Sequence, residues 1–400
     1  MNAVPALPDG DMKAIALLGA TGSIGRSTLD VVAAFPSRYR IVALAAGRRI
    51  EEVAEIARRV SPEIVSVERE ADVPRVKQLL PGFRGEIAWG AEGLDACAIW
   101  PSADTVVAGL VGAVGLSSAY AALKAGKRLA LANKETMVVA GEMMARAAAG
   151  SGAEIVPVDS EHCAIHQALR AGSSAEVERI VLTGSGGPFR TRDLSTFGSI
   201  TIEDALAHPT WKMGPKITID SATMMNKGLE IIEARFLFDV EPARIGVLIH
   251  PQSLVHSMVE FRDGSMVAQM AVNDMRLPIL YALAFPGRPP SPFGRLALAG
   301  ARFEFEEVDP RRYPAVAVAR EALEEGGSAP AVLNAANEIA VEAFLGGKIP
   351  FARIVPVVVE TRSEFGSRRA PESVEEARAI DAEARALASR SVTRMAGARA

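Results

Sequence analysis

The sequence predicts an α/β protein with an N-terminal Rossmann-type parallel sheet, an α+β domain and a small C-terminal helical domain. Three observations carry this reading. A β-type run ending in glycine, Lys13 to Gly19 (KAIALLG), opens directly into a glycine-rich turn and a helical pattern. Strand-like and helix-like segments then alternate to about residue 158, the rhythm of a parallel sheet covered by helices. Beyond that point strands crowd together, and the chain ends in helical composition.

In order, the first strand is followed by a helix over Ser27 to Phe35 and a second strand, Tyr39 to Ala45. Helix Ile50 to Val60, strand Ile64 to Val67, helix Arg75 to Leu80, strand Thr105 to Ala108, helix Ser117 to Ala125 and strand Arg128 to Leu131 continue the alternation. A helix over Glu135 to Ala149 and a strand over Glu154 to Val158 close that sheet, giving a domain over 13–158 after an extension at 1–12 expected to be disordered. From 159 to 285 strands Arg179 to Leu182, Ile245 to Ile249, Ser257 to Phe261 and Ser265 to Met270 lie closer together, as in a smaller mixed sheet. FPGRPPSP (285–292) is proline-dense and incompatible with a helix, so 286–313 is expected to be a linker. Helices over Ala315 to Glu325, Ala329 to Leu345 and Val374 to Ala388 then form a helical domain over 314–400, with the tail after Ser389 frayed.

Composition narrows the function classes. With 400 residues, 49% of them hydrophobic, each domain can bury its own core. The 44 basic and 48 acidic side chains leave a net charge of −4, and no clustered basic face signals nucleic acid. The longest apolar-and-glycine stretch, Val106 to Leu116, falls short of the roughly 20 residues a membrane helix needs. The N-terminus carries Asp9 and Asp11 where a signal peptide would be apolar, so a cytoplasmic location is expected. Two cysteines, Cys97 and Cys163, exclude a thiolate zinc site and leave any metal to oxygen or nitrogen ligands.

Gly19-Ala-Thr-Gly22-Ser-Ile-Gly25 follows a strand and opens a helix, the setting in which glycines let backbone N–H groups approach a pyrophosphate. The second strand ends in Gly47-Arg48-Arg49 with no carboxylate before Glu51. Two guanidiniums there suit a 2′-phosphate, and therefore NADPH rather than NADH; a solvated arginine pair is the bland alternative.

Asp159-Ser160-Glu161-His162 stands at a strand end, and in extended geometry positions 159 and 161 face one way, so both carboxylates could meet one hard cation such as Mg²⁺ or Mn²⁺. Exposed acidic pairs are common without a metal, and a third acid is required. Asp220-Ser-Ala-Thr-Met-Met-Asn-Lys-Gly-Leu-Glu230 supplies Ser221, Asn226 and Lys227, residue types that hold a phosphate, or else merely a helix N-terminal region. Glu230 and its i+3 neighbour Glu233 are both candidates for the third acid. Thr183-Gly-Ser185-Gly-Gly is a second glycine-rich turn suited to an anion or simply tight. His208-Pro-Thr-Trp211-Lys-Met-Gly214 reads as a lid, or as a loop anchoring its tryptophan in a core. Asn133-Lys134-Glu135 sits at another strand end, where a lysine can reach a substrate oxygen or simply start a solvated helix.

Together these segments resemble the 1-deoxy-D-xylulose 5-phosphate reductoisomerase family. The resemblance runs through GATGSIG (19–25), LANKET (131–136), PVDSEH (157–162), LTGSGGPF (182–189), HPTWKMG (208–214), DSATMMNKGLE (220–230), HPQSLVHSMV (250–259) and LNAANEIAVEAF (333–344). It implies NADPH- and divalent-metal-dependent isomerisation and reduction of 1-deoxy-D-xylulose 5-phosphate to 2-C-methyl-D-erythritol 4-phosphate, in non-mevalonate isoprenoid synthesis. It also implies a V-shaped cytoplasmic homodimer in which 159–285 is the catalytic domain and 207–214 its lid.

By motif, the resemblance makes Asp159, Glu161 and Glu230 the ligands of Mg²⁺, Mn²⁺ or Co²⁺, choosing Glu230 over Glu233. Ser185, Ser221, Asn226 and Lys227 would hold the phosphate with His208, while Ser160 and Lys134 would touch substrate oxygens and Trp211 would lie in the lid. Thr21, Gly22, Ser23, Ile24, Gly47, Arg48, Arg49, Asn133, Glu135 and Gly214 would line the NADPH site. Arg49 stands where the family often has asparagine. Cys163 and His166 are also unusual; packing explains them better than extra metal ligation. The rival readings are an NADP-dependent dehydrogenase of another phosphorylated sugar and a non-enzymatic NADPH-sensing regulator.

Overall fold

Strand β1 (Lys13–Leu18) lies at the middle of the larger sheet and is buried on both faces, as central strands of parallel sheets are. In this computed structural model residues 12–208 and 214–397 are described; the expectations for the N-terminal extension up to residue 11 and for lid residues 209–213, Trp211 included, lie outside them. The chain falls into two compact units: the first takes in the chain to Asn133, Ala147–Asp159 and Asp274–Gly294, and the second takes in Lys134–Arg146, Ser160–Asn273 and the chain from Arg295.

In the first unit β1 is followed by α1 (Ser23–Ala34), β2 (Tyr39–Ala45), α2 (Ile50–Val60), β3 (Ile64–Val67) and α3 (Val73–Leu79). The pair β4 (Glu86–Trp89) and α4 (Gly90–Ala98) comes next, then β5 (Thr105–Ala108), α5 (Leu116–Lys124), β6 (Arg128–Leu131), α6 (Lys134–Ser151) and β7 (Ile155–Pro157). The parallel sheet runs β4-β3-β2-β1-β5-β6-β7. The strand order reverses between β1 and β5, the position at whose carboxyl ends open α/β sheets bind ligands. Sequence periodicity missed β4 and α4: EIAW carries no clear alternation, and its strand is only partly covered.

The second unit opens with the N-terminal part of α6 and then α7 (Ser160–Ala168), β8 (Val177–Gly184), α8 (Ile202–Leu206), α9 (Pro215–Thr223) and α10 (Met225–Phe238). Strands β9 (Ile245–Ile249), β10 (Val255–Phe261) and β11 (Met266–Met270) follow, and with β12 (Glu306–Glu307) they form a mixed sheet ordered β11-β10-β8-β9-β12. Helices α12 (Pro314–Glu325), α13 (Ala329–Leu345), α14 (Ile354–Phe365) and α15 (Val374–Gly397) complete it; α11 (Arg276–Ala284) instead belongs to the first unit.

Four expectations about organisation are corrected. The second segment does not run unbroken to 285, because the apolar helix α11 returns to cover the first unit; Lys13 Nζ donates to the Leu283 carbonyl (2.8 Å) and Arg128 to that of Phe285 (2.6 Å). The presumed linker 286–313 is divided between the units at Gly294 and Arg295. Nor is 314–400 a separate domain: Ile180, Leu182, Ile231, Ala319, Leu333, Phe344 and Val357 share one continuous core across sheet and helices. Gly228 on α10 admits α12 so closely that a Cβ there would stand 2.6 Å from Ala319 Cβ. From Ser389 to Gly397 the chain is not frayed, because α15 continues to Gly397 and Arg394 bonds Glu360 and Glu364 on α14.

Candidate active site

In the first unit the turn after β1 requires its glycines. Gly19 has φ +86°, and a Cβ on it would lie 2.6 Å from the Gly109 carbonyl oxygen after β5; a Cβ on Gly25 would lie 2.4 Å from the carbonyl oxygens of Gly19 and Ala20. Gly22 caps α1 without a side-chain hydrogen bond, Ser23 and Ile24 begin the helix, and Thr21 is buried beneath the turn. Such a helix start presents main-chain donors to an anion. Arg49 Nη2 donates to the Thr21 carbonyl and Arg49 pairs with Glu52 (3.3 Å), so this residue braces the turn. Arg48 pairs at 2.9 Å with Glu68, which lies beyond β3 and close to Gly47. Linear spacing hid this acid, because it arrives from the neighbouring strand rather than from the end of β2. Asn133 is buried and donates to the carbonyls of Leu110 (2.8 Å) and Gly112 (3.1 Å), fastening the loop after β5.

The second unit gathers the charged groups. Ser160 and Glu161 start helix α7, so the extended-geometry argument for residues 159 and 161 is corrected: Glu161 projects from a first helical turn, with Ser160 donating to its carboxylate at 2.5 Å. Carboxylate oxygens of Glu161 and Glu230 lie within 4.8 Å of one another. Lys227 Nζ donates to Glu161 Oε1 (2.7 Å) and Glu230 Oε2 (2.5 Å). Lys134 Nζ donates to Glu230 Oε1 (3.0 Å) and Asn226 Oδ1 (2.8 Å), and Asn226 also donates to Glu230 (2.5 Å). Burial opposes the charge on Lys227, but the Glu161 and Glu230 carboxylates outweigh it and hold the ammonium above its usual range. Met224 lies between α9 and α10 in the left-handed region at φ +56°, which breaks the helix between Ser221 and Asn226 and aims them separately.

A second cluster has anion-binding character. Ser185 Oγ and Ser221 Oγ lie 3.2 Å and 3.0 Å from His208 Nε2. The loop of Ser185 presses on Ser221 through Gly187, whose Cβ would stand 2.8 Å from the Ser221 carbonyl oxygen. Burial lowers the His208 pKa, so the imidazole is neutral near pH 7. Lys227 passes between the clusters: a Cβ on Gly184 would come within 3.0 Å of Lys227 Cε.

The other motif residues have partners of their own. Glu135 is buried and accepts from Lys216 Nζ at 2.7 Å; Gly214 caps α9, with Thr218 N donating to its carbonyl. His162 Nε2 donates to the Glu230 carbonyl (2.9 Å), and its Nδ1 lies 3.1 Å from the Glu233 carboxylate, so Glu233 has a role behind Glu230. Cys163 is buried and accepts from Gln167, in line with packing. Sequence reasoning missed Lys216 and Asp220; their i,i+4 spacing on a helix was the signal available.

Three family models cover most of the chain: 1-deoxy-D-xylulose 5-phosphate reductoisomerase over residues 15–141, its C-terminal domain over 155–238, and the DXP reductoisomerase C-terminal domain over 270–387. The reductoisomerase of Pelotomaculum thermopropionicum is 49% identical over 370 residues, spanning 92% of this chain and 96% of that protein. That of Chlorobium phaeovibrioides is 51% identical over 352 residues, spanning 88% and 92%. Among solved structures, the Zymomonas mobilis enzyme in complex with NADPH superposes with a TM-score of 0.89 at 42% identity, covering 95% of this chain and 99% of that one. A DOX-P reductoisomerase in complex with NADPH, fosmidomycin and magnesium gives 0.91 at 40%, covering 96% and 98%. With the glycine turn, the paired carboxylates and the Ser-His-Ser cluster in place, this chain belongs to the 1-deoxy-D-xylulose 5-phosphate reductoisomerase family.

Proposed function

We infer that the protein converts 1-deoxy-D-xylulose 5-phosphate to 2-C-methyl-D-erythritol 4-phosphate, using NADPH and a divalent cation. The observation that carries this reading is the adjacency, within one unit, of a carboxylate group and a hydroxyl-imidazole cluster joined by Lys227. One part suits a metal-chelating pair of oxygens and the other a phosphate.

The donors fit a hard cation: they are carboxylate oxygens, and the Lys227 ammonium bridging Glu161 and Glu230 marks the position a cation would take. Asp159, which directly precedes α7 in the chain, completes the proposed ligand set with Glu161 and Glu230. A bound Mg²⁺ or Mn²⁺ supplies Lewis-acid stabilisation of developing negative charge on neighbouring substrate oxygens. NADPH supplies the hydride, and the turn Thr21 to Ile24, with Gly47, Arg48, Arg49, Asn133, Glu135 and Gly214, is the proposed site for it.

The chain's own residues bind and orient. Ser185, Ser221, Asn226, Lys227 and His208 take the phosphate, and neutral His208 donates from its ring without adding charge. Binding energy collected at the phosphate holds the reacting carbons in place. Lys134 and Ser160 contact the substrate's oxygens.

The protein is further proposed to act as a cytoplasmic homodimer. Edge strand β11 exposes Met266 and Met270, apolar side chains that a second copy can cover. Both cysteines are buried and form no disulfide, and no helix among the described residues is long and apolar enough to cross a membrane.

The test is loss of nicotinamide absorbance that needs the deoxyxylulose phosphate, NADPH and Mg²⁺ or Mn²⁺ together; no loss with all three present refutes the reading. A simple sugar-phosphate dehydrogenase would let Asp159→Asn still reduce the branched aldehyde intermediate when it is supplied. An NADPH-sensing regulator would bind the cofactor and turn nothing over.

A further inference from the structure

Helix α13 is apolar along most of its length and is buried, yet it carries Asn337 with no measurable exposure. Burying an amide is costly unless it is hydrogen-bonded, so the position of its partner matters. Asn337 Nδ2 donates to Asp220 Oδ1 at 2.8 Å. The other oxygen of Asp220 lies 2.9 Å from Lys216 Nζ, and Lys216 donates to Glu135 Oε1 at 2.7 Å. Two members of this chain adjoin functional side chains: Glu135 follows Lys134 at the start of α6, and Asp220 precedes Ser221 near the end of α9.

We propose that Asn337 is a positioning residue for the reductoisomerase reaction, orienting Asp220 so that Lys216 and Glu135 hold Lys134 and Ser221 in register. This inference rests on the function proposed above. The amide sets the rotation of the Asp220 carboxylate, one oxygen toward α13 and the other toward Lys216. Fixing that rotation ties α9 to α6, and the amine of Lys134 then meets Asn226 and Glu230 without searching rotamers. A leucine at 337 would fill the space but fix no orientation. The C-terminal helices thereby contribute to the site without touching substrate.

The experiment compares wild type, Asn337→Asp, and the swap Asn337→Asp with Asp220→Asn. In the single variant two carboxylates face each other; in the swap an amide at 220 donates to the carboxylate at 337 and turns its carbonyl oxygen to Lys216. Expected is a fall of at least about tenfold in kcat per folded molecule for the single variant, and recovery of most of the rate in the swap. Acylation of lysines in the substrate-free protein, read by mass spectrometry, is expected to find Lys216 and Lys134 protected in wild type and swap but labelled several-fold faster in the single variant. An unchanged kcat per folded molecule, or a swap that recovers melting temperature but not rate, overturns the proposal. If Asn337→Asp does not fold, Asn337→Ala removes the hydrogen bond without adding charge and must show the same two changes in smaller measure. Should the wild type turn over no substrate, the function reading fails, while the labelling comparison still decides the role of Asn337: unchanged protection across all variants rejects it.

Discussion

The ammonium of Lys227 lies 2.5 Å from the Glu230 carboxylate, and it reaches Glu161 as well, at 2.7 Å. A lysine of a type that holds phosphate thus occupies the charge position that a divalent cation would take between two carboxylates. Its stem runs past Gly184, beside Ser185, so one lysine adjoins both clusters.

Competition follows from that placement. Lys227→Gln is expected to bind Mn²⁺ more tightly than wild type in the absence of substrate, by about tenfold, because a positive charge within roughly 4 Å of the incoming ion is removed. Turnover should nevertheless fall strongly for want of the phosphate contact. Titration of Mn²⁺ followed by electron paramagnetic resonance measures the first effect, and weaker binding would sink the idea.

Glu68 restrains Arg48. Glu68→Gln should release the guanidinium and lower the Michaelis constant for NADPH severalfold, whereas Arg48→Ala with Arg49→Ala should raise it roughly tenfold while that for NADH changes little. Equal changes for both cofactors would mean that neither arginine reads the 2′-phosphate.

Gly25 has no room for a side chain. Gly25→Ala places a methyl 2.4 Å from two backbone oxygens, so the turn must open. A stability loss of about 1–3 kcal/mol is expected, the usual range for overpacking, together with at least a tenfold weaker NADPH affinity. Calorimetry of unfolding and of cofactor binding measures both.

The ion pair of Lys216 with Glu135 makes stability depend on pH in a defined direction. Burial works against both charges, but Lys216 outweighs it at Glu135, and Asp220 with Glu135 outweighs it at Lys216: the Glu135 carboxyl is held below its ordinary value of 4.5 and the Lys216 ammonium above its ordinary 10.5. A lowered carboxyl pKa contributes stability that is complete above about 4.5 and lost as pH falls through the folded value. A raised ammonium pKa contributes stability complete below about 10.5 and lost as pH rises through the folded value. Lys216→Met should therefore cost about 3–5 kcal/mol, as expected when one partner of a buried pair is removed. That cost should be constant between these two limits and shrink in acid below the lower one; melting temperatures across pH for both proteins test it.

His162 supports Glu230 from behind. With His162 Nε2 donating to the Glu230 carbonyl and Glu233 at its other nitrogen, Glu233→Ala leaves a buried imidazole without its carboxylate. Unfolding in urea should shift to lower concentration with an unchanged slope, by an amount worth about 1–3 kcal/mol, the cost of leaving a buried polar group without its neighbour. A shift under 0.5 kcal/mol, the range of ordinary surface changes, would mean that the pair carries no weight.

The sequence by itself determined the parallel sheet, because buried strands and amphipathic helices write their periodicity locally, and it determined the cofactor turn, because only glycine permits the approach of Gly19 to Gly109. It also placed Ser185, Ser221, Asn226, Lys227 and the acids within short motifs. Only the tertiary structure decided which of these residues meet. Lys227 goes to Glu161 across 66 residues and Lys134 to Glu230 across 96, and Glu68 reaches Arg48 from a neighbouring strand. It likewise decided that α11 belongs with the first sheet and that the final helices share a core with the second, since burial of an apolar face is satisfied by any complementary surface and local pattern does not name the partner. Side-chain ion pairs between distant segments depend on the packing of whole helices, whose summed contacts no local spacing encodes.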